Sequence, residues 1–290
     1  MIPLVVDWQI NSECSRNCIF CYGPKNIEEM DIDNLLLSIK NINTIGAKIV
    51  GITGGEPLMH SKIEQIFKLI KEYNMAICLS TNGDFYKEKK QLILDYVDTI
   101  GLPIDGSNAK IHDKLRGNGN FNNVLYFLRD TYKISNKKYR IGTVVTSSNF
   151  DDLVNMAKLL KQFKDKIVYW KLYEYISYNS QDEYLNLSQN QSSQFKEVIK
   201  SMSEFFPEEK IINDTKEKRN RSYFLIKPNG DVFVPIIEEN VSEEHIVGNI
   251  TGNLKTLISR WKENINYDSY EKCYRCIFRK DDELKKCFLS

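Results

Sequence analysis

Short apolar runs alternate with amphipathic stretches along the first 206 residues, and this alternation limits the fold more than any other feature of the chain. The apolar runs are rich in Val, Ile and aromatic residues and predict strands at 4–10, 48–53, 76–81, 99–104, 140–145 and 168–176. The stretches between them have helical spacing, at 28–45, 61–73, 86–96, 121–133, 149–164 and 189–206. Six strands, each followed by a helix, predict a parallel sheet with right-handed crossovers. The pattern fits an open doubly wound sheet or a partial barrel, and in both the loops after the strands build the active site.

The pattern changes after residue 206. A polar link, "PEEKIINDTKEKRNR", precedes "SYFLIKPNGDVFVPI", in which the Pro-Asn-Gly turn predicts a hairpin. "HIVGNI" at 245–250 and an amphipathic helix at 254–261 follow, and three cysteines lie in the tail. The sequence therefore predicts a core domain at 1–206 and a small extension of hairpin, helix and cysteines at 207–290.

Charge and hydropathy exclude several classes of partner. The 40 basic and 39 acidic residues nearly cancel, so no overall charge favours nucleic acid or a membrane surface. No apolar run approaches the roughly 20 residues of a membrane span. The first ten residues, "MIPLVVDWQI", lack a basic leader and predict a strand rather than a signal peptide. We therefore expect a cytoplasmic protein, in which clustered thiols more often bind metal than form disulfides.

Three of the seven cysteines, Cys14, Cys18 and Cys21, lie in the loop after the first predicted strand. A structural zinc site needs four ligands, and no fourth Cys or His lies nearby. A [4Fe–4S] cluster most often takes four protein ligands, but three thiolates can hold it and leave one iron open. The spacing favours an open cluster, with zinc and unrelated cysteines as the alternatives.

The Cys-x3-Cys-x2-Cys spacing, with Phe20 before the last cysteine, resembles the signature of the radical S-adenosylmethionine (SAM) superfamily. Other segments agree in type and order along residues 4–206, and the resemblance implies a partial (β/α)6 TIM-type barrel. "GGEP", "LSTNG" and "LPIDG" each follow a predicted strand. The resemblance implies that SAM is bound by residues of these segments and of the cysteine motif, namely Phe20, Gly54, Gly55, Glu56, Pro57, Ser80, Thr81, Asn82 and Asp105. For Glu56 the alternative is a solvated loop acid, and for Asp105 a turn residue.

The resemblance also implies the chemistry. SAM would be the fourth ligand of the cluster, and reductive cleavage would yield a 5′-deoxyadenosyl radical that abstracts hydrogen from a substrate. In this interpretation Cys14, Cys18 and Cys21 are the catalytic and metal-binding residues, and a flavodoxin or ferredoxin supplies the electron. The glycines of "GGEP" are expected to let backbone amides approach the ligand.

The tail resembles the SPASM and twitch extensions of radical SAM enzymes, which carry auxiliary clusters. It departs from them because Pro235 and Asp282 stand where cysteines are expected and 214–220 contains none. Three thiols remain, and we expect a second iron–sulfur cluster, with zinc or no metal as alternatives, on Cys273, Cys276 and Cys287. Cys78, in an apolar strand, is expected to be a core residue.

Alternation in "YWKLYEYISY" predicts that Lys171 and Tyr173 share one face of the sixth strand and contact the substrate, or else form an aromatic packing surface. Because the tail is SPASM-like, the leading hypothesis is modification of a ribosomal peptide or protein. The alternative is a small-molecule or nucleotide enzyme, similar to viperin or to the GTP cyclase, with Lys171, Lys227 and Arg116 as candidate phosphate contacts. A third hypothesis is a non-catalytic protein that holds an iron–sulfur cluster. Such a scaffold would not need Glu56 as a partner for the amino group of SAM.

Overall fold

The structure is a computed structural model, and it describes residues 2–177, 180–238, 241–266 and 268–270. Its described strands form one sheet in the order β10-β9-β8-β1-β2-β3-β4-β5-β6-β7. Strands β1 to β7 are parallel, β8 is parallel to β1, β9 pairs antiparallel with β8, and β10 pairs antiparallel with β9. The strands are β1 (Val5–Gln9), β2 (Ile49–Thr53), β3 (Ala76–Ser80), β4 (Thr99–Pro103), β5 (Lys138–Val145), β6 (Ile167–Glu174), β7 (Ile211–Asp214), β8 (Leu225–Ile226), β9 (Asp231–Glu238) and β10 (Val241–Asn249).

The helices cover the outer face of the sheet, and several begin at side-chain caps. The side chains of Asp31, Asn108 and Asn253 accept from backbone amides at the starts of α1, α4 and α9, and Ser188 with Gln191 forms a capping box at α7. The helices are α1 (Ile32–Thr44), α2 (Ile63–Glu72), α3 (Tyr86–Tyr96), α4 (Ala109–Arg116), α5 (Asn120–Ile134), α6 (Leu153–Leu160), α7 (Gln189–Met202), α8 (Lys216–Arg219) and α9 (Leu254–Asn264). Among the described helices none combines the length and apolar composition of a membrane-spanning segment.

The sheet curves into a partial barrel, so the predicted fold class is confirmed. Asp7 of β1 lies within electrostatic reach of Arg140 of β5 and Lys171 of β6, although four and five strand positions separate them in the sheet. The outward-facing side chains pack under the helices in one core, as Trp170 of β6 does against Phe206. The inward-facing side chains enclose the space that we call the lumen.

Two elements differ from the sequence-based expectation. The polar link contains β7, which pairs with β6, so the sheet continues past the predicted boundary at residue 206. Helix α4 (Ala109–Arg116) lies between the predicted fourth strand and the predicted helix at 121–133, in a stretch for which the periodicity predicted no helix. The predicted hairpin is confirmed: β8 and β9 pair around Gly230, whose φ of +86° suits glycine.

Candidate active site

The cysteine loop, residues 11–23, leaves the carboxyl end of β1 and carries three free thiols. Cys14 and Cys21 are exposed and Cys18 is half-buried. The thiols act electrostatically on one another, so they face a common space. Burial raises the pKa values of Cys14 and Cys18, so the free loop favours protonated thiols and a bound metal would displace their protons.

The "GGEP" segment holds this loop by its backbone. The amide of Gly55 donates to the carbonyl of Asn11 at 2.9 Å, and that of Glu56 donates to the carbonyl of Glu13 at 2.7 Å. A Cβ on Gly55 would overlap the Glu13 carbonyl, and Gly54 has a φ of +144°. The two glycines therefore allow the loop to lie against the end of β2. The amides of Gly55 and Glu56 are therefore used within the protein, and the binding of SAM by Gly54, Gly55 and Pro57 stays a prediction.

Glu56 is fully buried and joins the ends of β2 and β3. Its carboxylate accepts from the amides of Leu58 at 3.1 Å and Asn82 at 2.7 Å and from the hydroxyl of Thr81 at 2.7 Å. Burial raises the pKa of Glu56 to about 7, although these three hydrogen bonds act in the opposite direction. The alternative of a solvated loop acid is wrong, because no part of the side chain reaches solvent.

An ion pair fixes the other side of the loop. Arg16, between the first two cysteines, forms a two-pronged contact with Asp84 at 2.7 and 2.6 Å. Its remaining nitrogen donates to the carbonyls of residues 116–118 at 3.0–3.4 Å. Asn82 donates to Ser15 at 3.0 Å and lies 3.7 Å from the sulfur of Cys14. The predicted residue Asn82 therefore touches the cysteine loop directly.

Asp105 and Phe20 are linked through Arg116. Asp105 is fully buried, accepts from the amide of Val144 at 2.7 Å and is paired with Arg116. The Arg116 guanidinium lies 5.1 Å from the centre of the Phe20 ring. Both oxygens of Asp105 are thus engaged within the protein, and a ribose contact at this residue stays a prediction. Pro57 is buried and starts a short turn of helix after Glu56.

The lumen is lined by polar side chains and glycines. On β5 the lumen-facing residues 138, 140, 142 and 144 are partly exposed, whereas the intervening residues are buried. Such a strand differs from a packed barrel interior, which branched apolar side chains fill. The lumen lining comprises Asp7, Gly51, Cys78, Ser80, Gly101, Arg140, Gly142, Tyr169, Lys171 and Tyr173. The lumen is therefore a polar cavity that water reaches.

Lys171 and Tyr173 both lie in the lumen, on the face that the alternation predicted. The Lys171 ammonium lies 3.0 Å from Asp214 and 2.8 Å from the hydroxyl of Tyr223. It also lies 5.0 and 5.2 Å from the ring centres of Tyr173 and Tyr223. Burial raises the pKa of Tyr173 to about 12. Lys171 is thus a buried cation held in an aromatic and acidic box that joins β6, β7 and the extension.

The hydroxyl of Ser80 accepts from Arg140 at 3.1 Å, and the predicted contact of Ser80 with the cofactor stays a prediction. Arg140 also donates to Tyr169 at 3.4 Å, and its buried Nε has no hydrogen-bond partner. Arg140 forms no ion pair within the described ranges. Cys78 lies close by and is 8% exposed, which confirms that it is buried.

Asp7 and Tyr22 complete the lumen and were not predicted. The Asp7 carboxylate lies over Gly51, where a Cβ would overlap it, and has no hydrogen-bond or ion-pair partner in the described part of the chain. Tyr22 is 65% exposed, and Tyr173 and Arg219 act electrostatically on its phenol group. The sequence did offer a signal for Asp7, because an acidic residue inside the otherwise apolar first strand indicates a functional position.

The donor set fits a [4Fe–4S] cluster with one open iron. Three free thiols share one loop, and within the described ranges no three Cys, His, Asp or Glu side chains lie close enough to hold a single metal ion. A four-iron cluster needs its thiolates further apart than one ion does. Cys14, Cys18 and Cys21 would hold the cluster. The predicted ligands Cys273, Cys276 and Cys287 lie outside the described residues.

Comparison with known proteins agrees with this geometry. The AdoMet-dependent heme synthase of Methanosarcina barkeri is 26% identical over 167 residues, which cover 55% of this chain and 48% of that protein. The S-adenosylmethionine-dependent nucleotide dehydratase of Lacinutrix mariniflava is 24% identical over 302 residues, which cover 91% of this chain and 60% of that protein. The chain thus spans about half of the length of these curated relatives.

Among solved structures, native anSMEcpe with bound AdoMet and Cp18Cys peptide superposes with a TM-score of 0.71 at 21% identity. The match covers 96% of this chain and 87% of that one, and it shows the shared fold. The sequence profile of the radical SAM superfamily matches residues 8–160, which include the cysteine loop, the "GGEP" segment and strands β2 to β5. The chain therefore belongs to the radical SAM superfamily.

Proposed function

We propose that this protein is a radical SAM enzyme that acts on a small anionic molecule of the nucleotide class, bound inside the lumen. The observation that carries the proposal is Arg140, a guanidinium inside the barrel with no ion-pair partner in the described residues and an unpartnered Nε. A charge removed from bulk water is costly unless it is paired. A phosphate or carboxylate entering the lumen would supply that partner, and guanidinium groups bind such anions by two parallel hydrogen bonds.

Neighbouring groups support an anionic ligand that also carries hydrogen-bond donors. Lys171 adds a second cation whose charge reaches Asp7, and Asp7 offers a carboxylate without a protein partner. Gly101 lies against Arg140, and Gly142 lies against Tyr173. A Cβ at either glycine would crowd these side chains, so the glycines allow Arg140 and Tyr173 to lie close against the neighbouring strands. A nucleotide combines phosphate oxygens with donor groups on its sugar and base, and this lumen offers partners for both.

The chain's own residues would place the substrate next to the cofactor. Tyr22 directly follows Cys21 and shares electrostatic contacts with Tyr173, Lys171 and Asp7. The cysteine loop therefore closes the carboxyl end of the lumen. When bound, the cluster and SAM supply the chemistry of hydrogen abstraction, and the enclosing walls limit the access of water. We infer that Gly54 to Pro57 and Ser80 to Asn82 hold SAM at that end.

The extent of the sequence similarity favours the nucleotide class. The similarity to the nucleotide dehydratase runs over 91% of the chain, so it includes β6, β7 and much of the extension as well as the cysteine loop. The Lys171 box is built from those later elements.

The test measures 5′-deoxyadenosine with anaerobically reconstituted enzyme, SAM and dithionite. The nucleoside mono-, di- and triphosphates of all four bases are compared with the free nucleosides. We expect at least one nucleotide to raise formation about tenfold over the ligand-free rate, and Arg140→Gln to abolish that increase. Lys90→Gln, in an ion pair outside the lumen with Asp130 at 2.7 Å, is the control and should respond as wild type does. An equal response of Arg140→Gln would contradict the lumen site.

The second candidate is the modification of a ribosomal peptide or protein. It is favoured by the similarity in fold to anSMEcpe, which was solved with a bound peptide, and by the cysteines of the tail. In that case no nucleotide or nucleoside would raise 5′-deoxyadenosine formation. Cross-linked, epimerised or oxidised residues would then be sought by mass spectrometry in short peptides encoded beside the gene.

We also infer that the extension carries a second iron–sulfur cluster on Cys273, Cys276 and Cys287, as in SPASM or twitch domains. Iron and sulfide are measured per chain after reconstitution. About eight irons in wild type and about four in Cys273→Ala/Cys276→Ala are expected. About four irons in both proteins would make the tail structural or a zinc site. Reduction by a flavodoxin or ferredoxin, in the cytoplasm, completes the proposal and is tested by replacing dithionite with the purified donor.

A further inference from the structure

We propose that Arg116 is a positioning residue of the cysteine loop whose fixed positive charge raises the reduction potential of the cluster bound there. Nothing in the spacing of the cysteines assigns this residue a role toward the cluster. The inference uses the family membership and does not depend on which substrate the enzyme takes.

Arg116 ends α4 and contacts the segment between the second and third cysteines. Its guanidinium lies 5.1 Å from the centre of the Phe20 ring, and its carbonyl oxygen lies 3.9 Å from the sulfur of Cys18. The amide of Ile19 donates to the carbonyl of Leu115 at 3.1 Å. Side chain and main chain of the last turn of α4 thus hold the same short segment.

The charge of Arg116 is fixed by its surroundings. Its Nε is paired with Asp105, which is fully buried and accepts from the amide of Val144 at 2.7 Å. The amide group of Asn149 donates to the Asp105 carbonyl at 3.0 Å. On the other side, the Phe20 ring is packed in a small cluster with Leu115, Tyr175 and Leu185. The guanidinium is therefore held between a buried carboxylate and a buried ring.

The sign of the effect follows from the position of the cation. Arg116 contacts the cysteine loop directly, through its guanidinium at the Phe20 ring and its carbonyl near the sulfur of Cys18, whereas Asp105 pairs with Arg116 on the side away from Phe20. The positive member of the pair therefore faces the loop, so the pair leaves a net positive field there. A positive field stabilises the more negative, reduced state of a cluster, and such outer groups tune its potential.

The other arginine of the loop has a different arrangement. Arg16 forms a bidentate ion pair with Asp84, and its remaining nitrogen, Nη1, donates to three backbone carbonyls. We expect Arg16 to hold the backbone and Arg116 to set the field.

The test is the midpoint potential of the cluster, measured by reductive titration with EPR detection, in the full chain without substrate. Iron content per chain is recorded for every variant. We expect Arg116→Lys to keep a potential near that of wild type and Arg116→Gln to have the most negative one. Arg116→Gln/Asp105→Asn should lie between them, because it also removes the opposing carboxylate. A merely structural residue would change iron content without this order of potentials.

Lys71→Gln is the matched control. Lys71 pairs with Asp98 at 2.9 Å at the amino end of the barrel, and Asp98 accepts a backbone amide as Asp105 does. Its potential should equal that of wild type. If Arg116→Gln leaves Asp105 unpaired and fails to fold, the double variant decides the question. Equal potentials in the double variant and wild type at equal iron content would overturn the proposal, as would a more positive potential in Arg116→Gln.

Discussion

Along β5, the residues that face the helices are fully buried, whereas those that face the lumen are partly exposed, although one peptide unit separates them. On β6 the two faces differ in chemistry rather than in burial: Trp170 packs against Phe206, whereas Lys171, which is also buried, binds Asp214 and Tyr223. The outer face follows the rules of a close-packed core. The inner face keeps charges and glycines that no core would select.

This contrast separates the residues that stabilise the fold from those that carry the chemistry. A substitution on the outer face should reduce stability first and activity only as a consequence. A substitution on the inner face should change activity with little loss of stability, except where it leaves a buried charge unpaired.

Trp170→Ala should give the largest loss of stability. The Trp170 side chain is 0% exposed, contacts Phe206 edge-on at 5.6 Å and donates to Thr143 at 2.8 Å. Removing a buried Trp leaves a cavity and typically costs about 3–5 kcal/mol. Chemical denaturation measures the free energy of unfolding. Tyr173→Ala, on the lumen face of the same strand, is the control and should cost about 1 kcal/mol. Equal costs would show that the inner face is packed as tightly as the outer one.

Glu56 lies at the carboxyl end of the strands, between these two environments, and predicts a pH dependence. Its pKa is raised to about 7 by burial, so the folded chain holds a proton that the unfolded chain has lost at the same pH. Glu56 therefore contributes most to stability below about pH 4.5, the pKa of a Glu in the unfolded chain, and least above pH 7. The free energy of unfolding differs between these two limits by up to about 3 kcal/mol. The stability it contributes is lost as the pH rises from about 4.5 to about 7.

The measurement is the free energy of unfolding of the cluster-free chain across that range. The difference between wild type and Glu56→Gln isolates Glu56 from His60 and His112, whose pKa values are lowered by burial and which act with the opposite sign. We expect Glu56→Gln to lack the loss. Identical pH profiles would mean that Glu56 keeps an ordinary pKa through its three hydrogen bonds.

The sequence predicts the outer face better than the inner one. Six strands and most helices can be predicted from apolar periodicity. The residues of a strand or helix that face the core must all be apolar, and they recur at the period of that element. The strand Ile211–Asp214 was not predicted, because it has only four residues and charged residues flank it, so it shows no recognisable alternation. It forms because the edge of β6 offers backbone partners, which is a property of the assembled sheet.

The site was predicted in part, for a related reason. The three cysteines and the "GGEP" segment are local patterns and lie together at the ends of β1 and β2. The pairs Arg16 with Asp84 and Arg116 with Asp105 join residues that are 68 and 11 positions apart, and a single sequence does not show which charges meet. The same holds for the lumen, where three glycines gain meaning only beside the side chains that lie over them.

Asp7→Asn should have the smallest effect on stability and sharpens the comparison most. Burial raises the pKa of Asp7, against the charges of Arg140 and Lys171, so its ionised form destabilises the folded chain at neutral pH. A core residue loses stability when it is changed, but here the neutral amide of the same shape should leave the thermal midpoint equal or higher. Substrate-stimulated 5′-deoxyadenosine formation should fall about tenfold or more, because the lumen loses its unpartnered carboxylate and the amide keeps only one acceptor oxygen. A lower thermal midpoint with unchanged stimulation would show that Asp7 stabilises the fold. Residues of the inner face would then not be separated from structural residues in the way proposed.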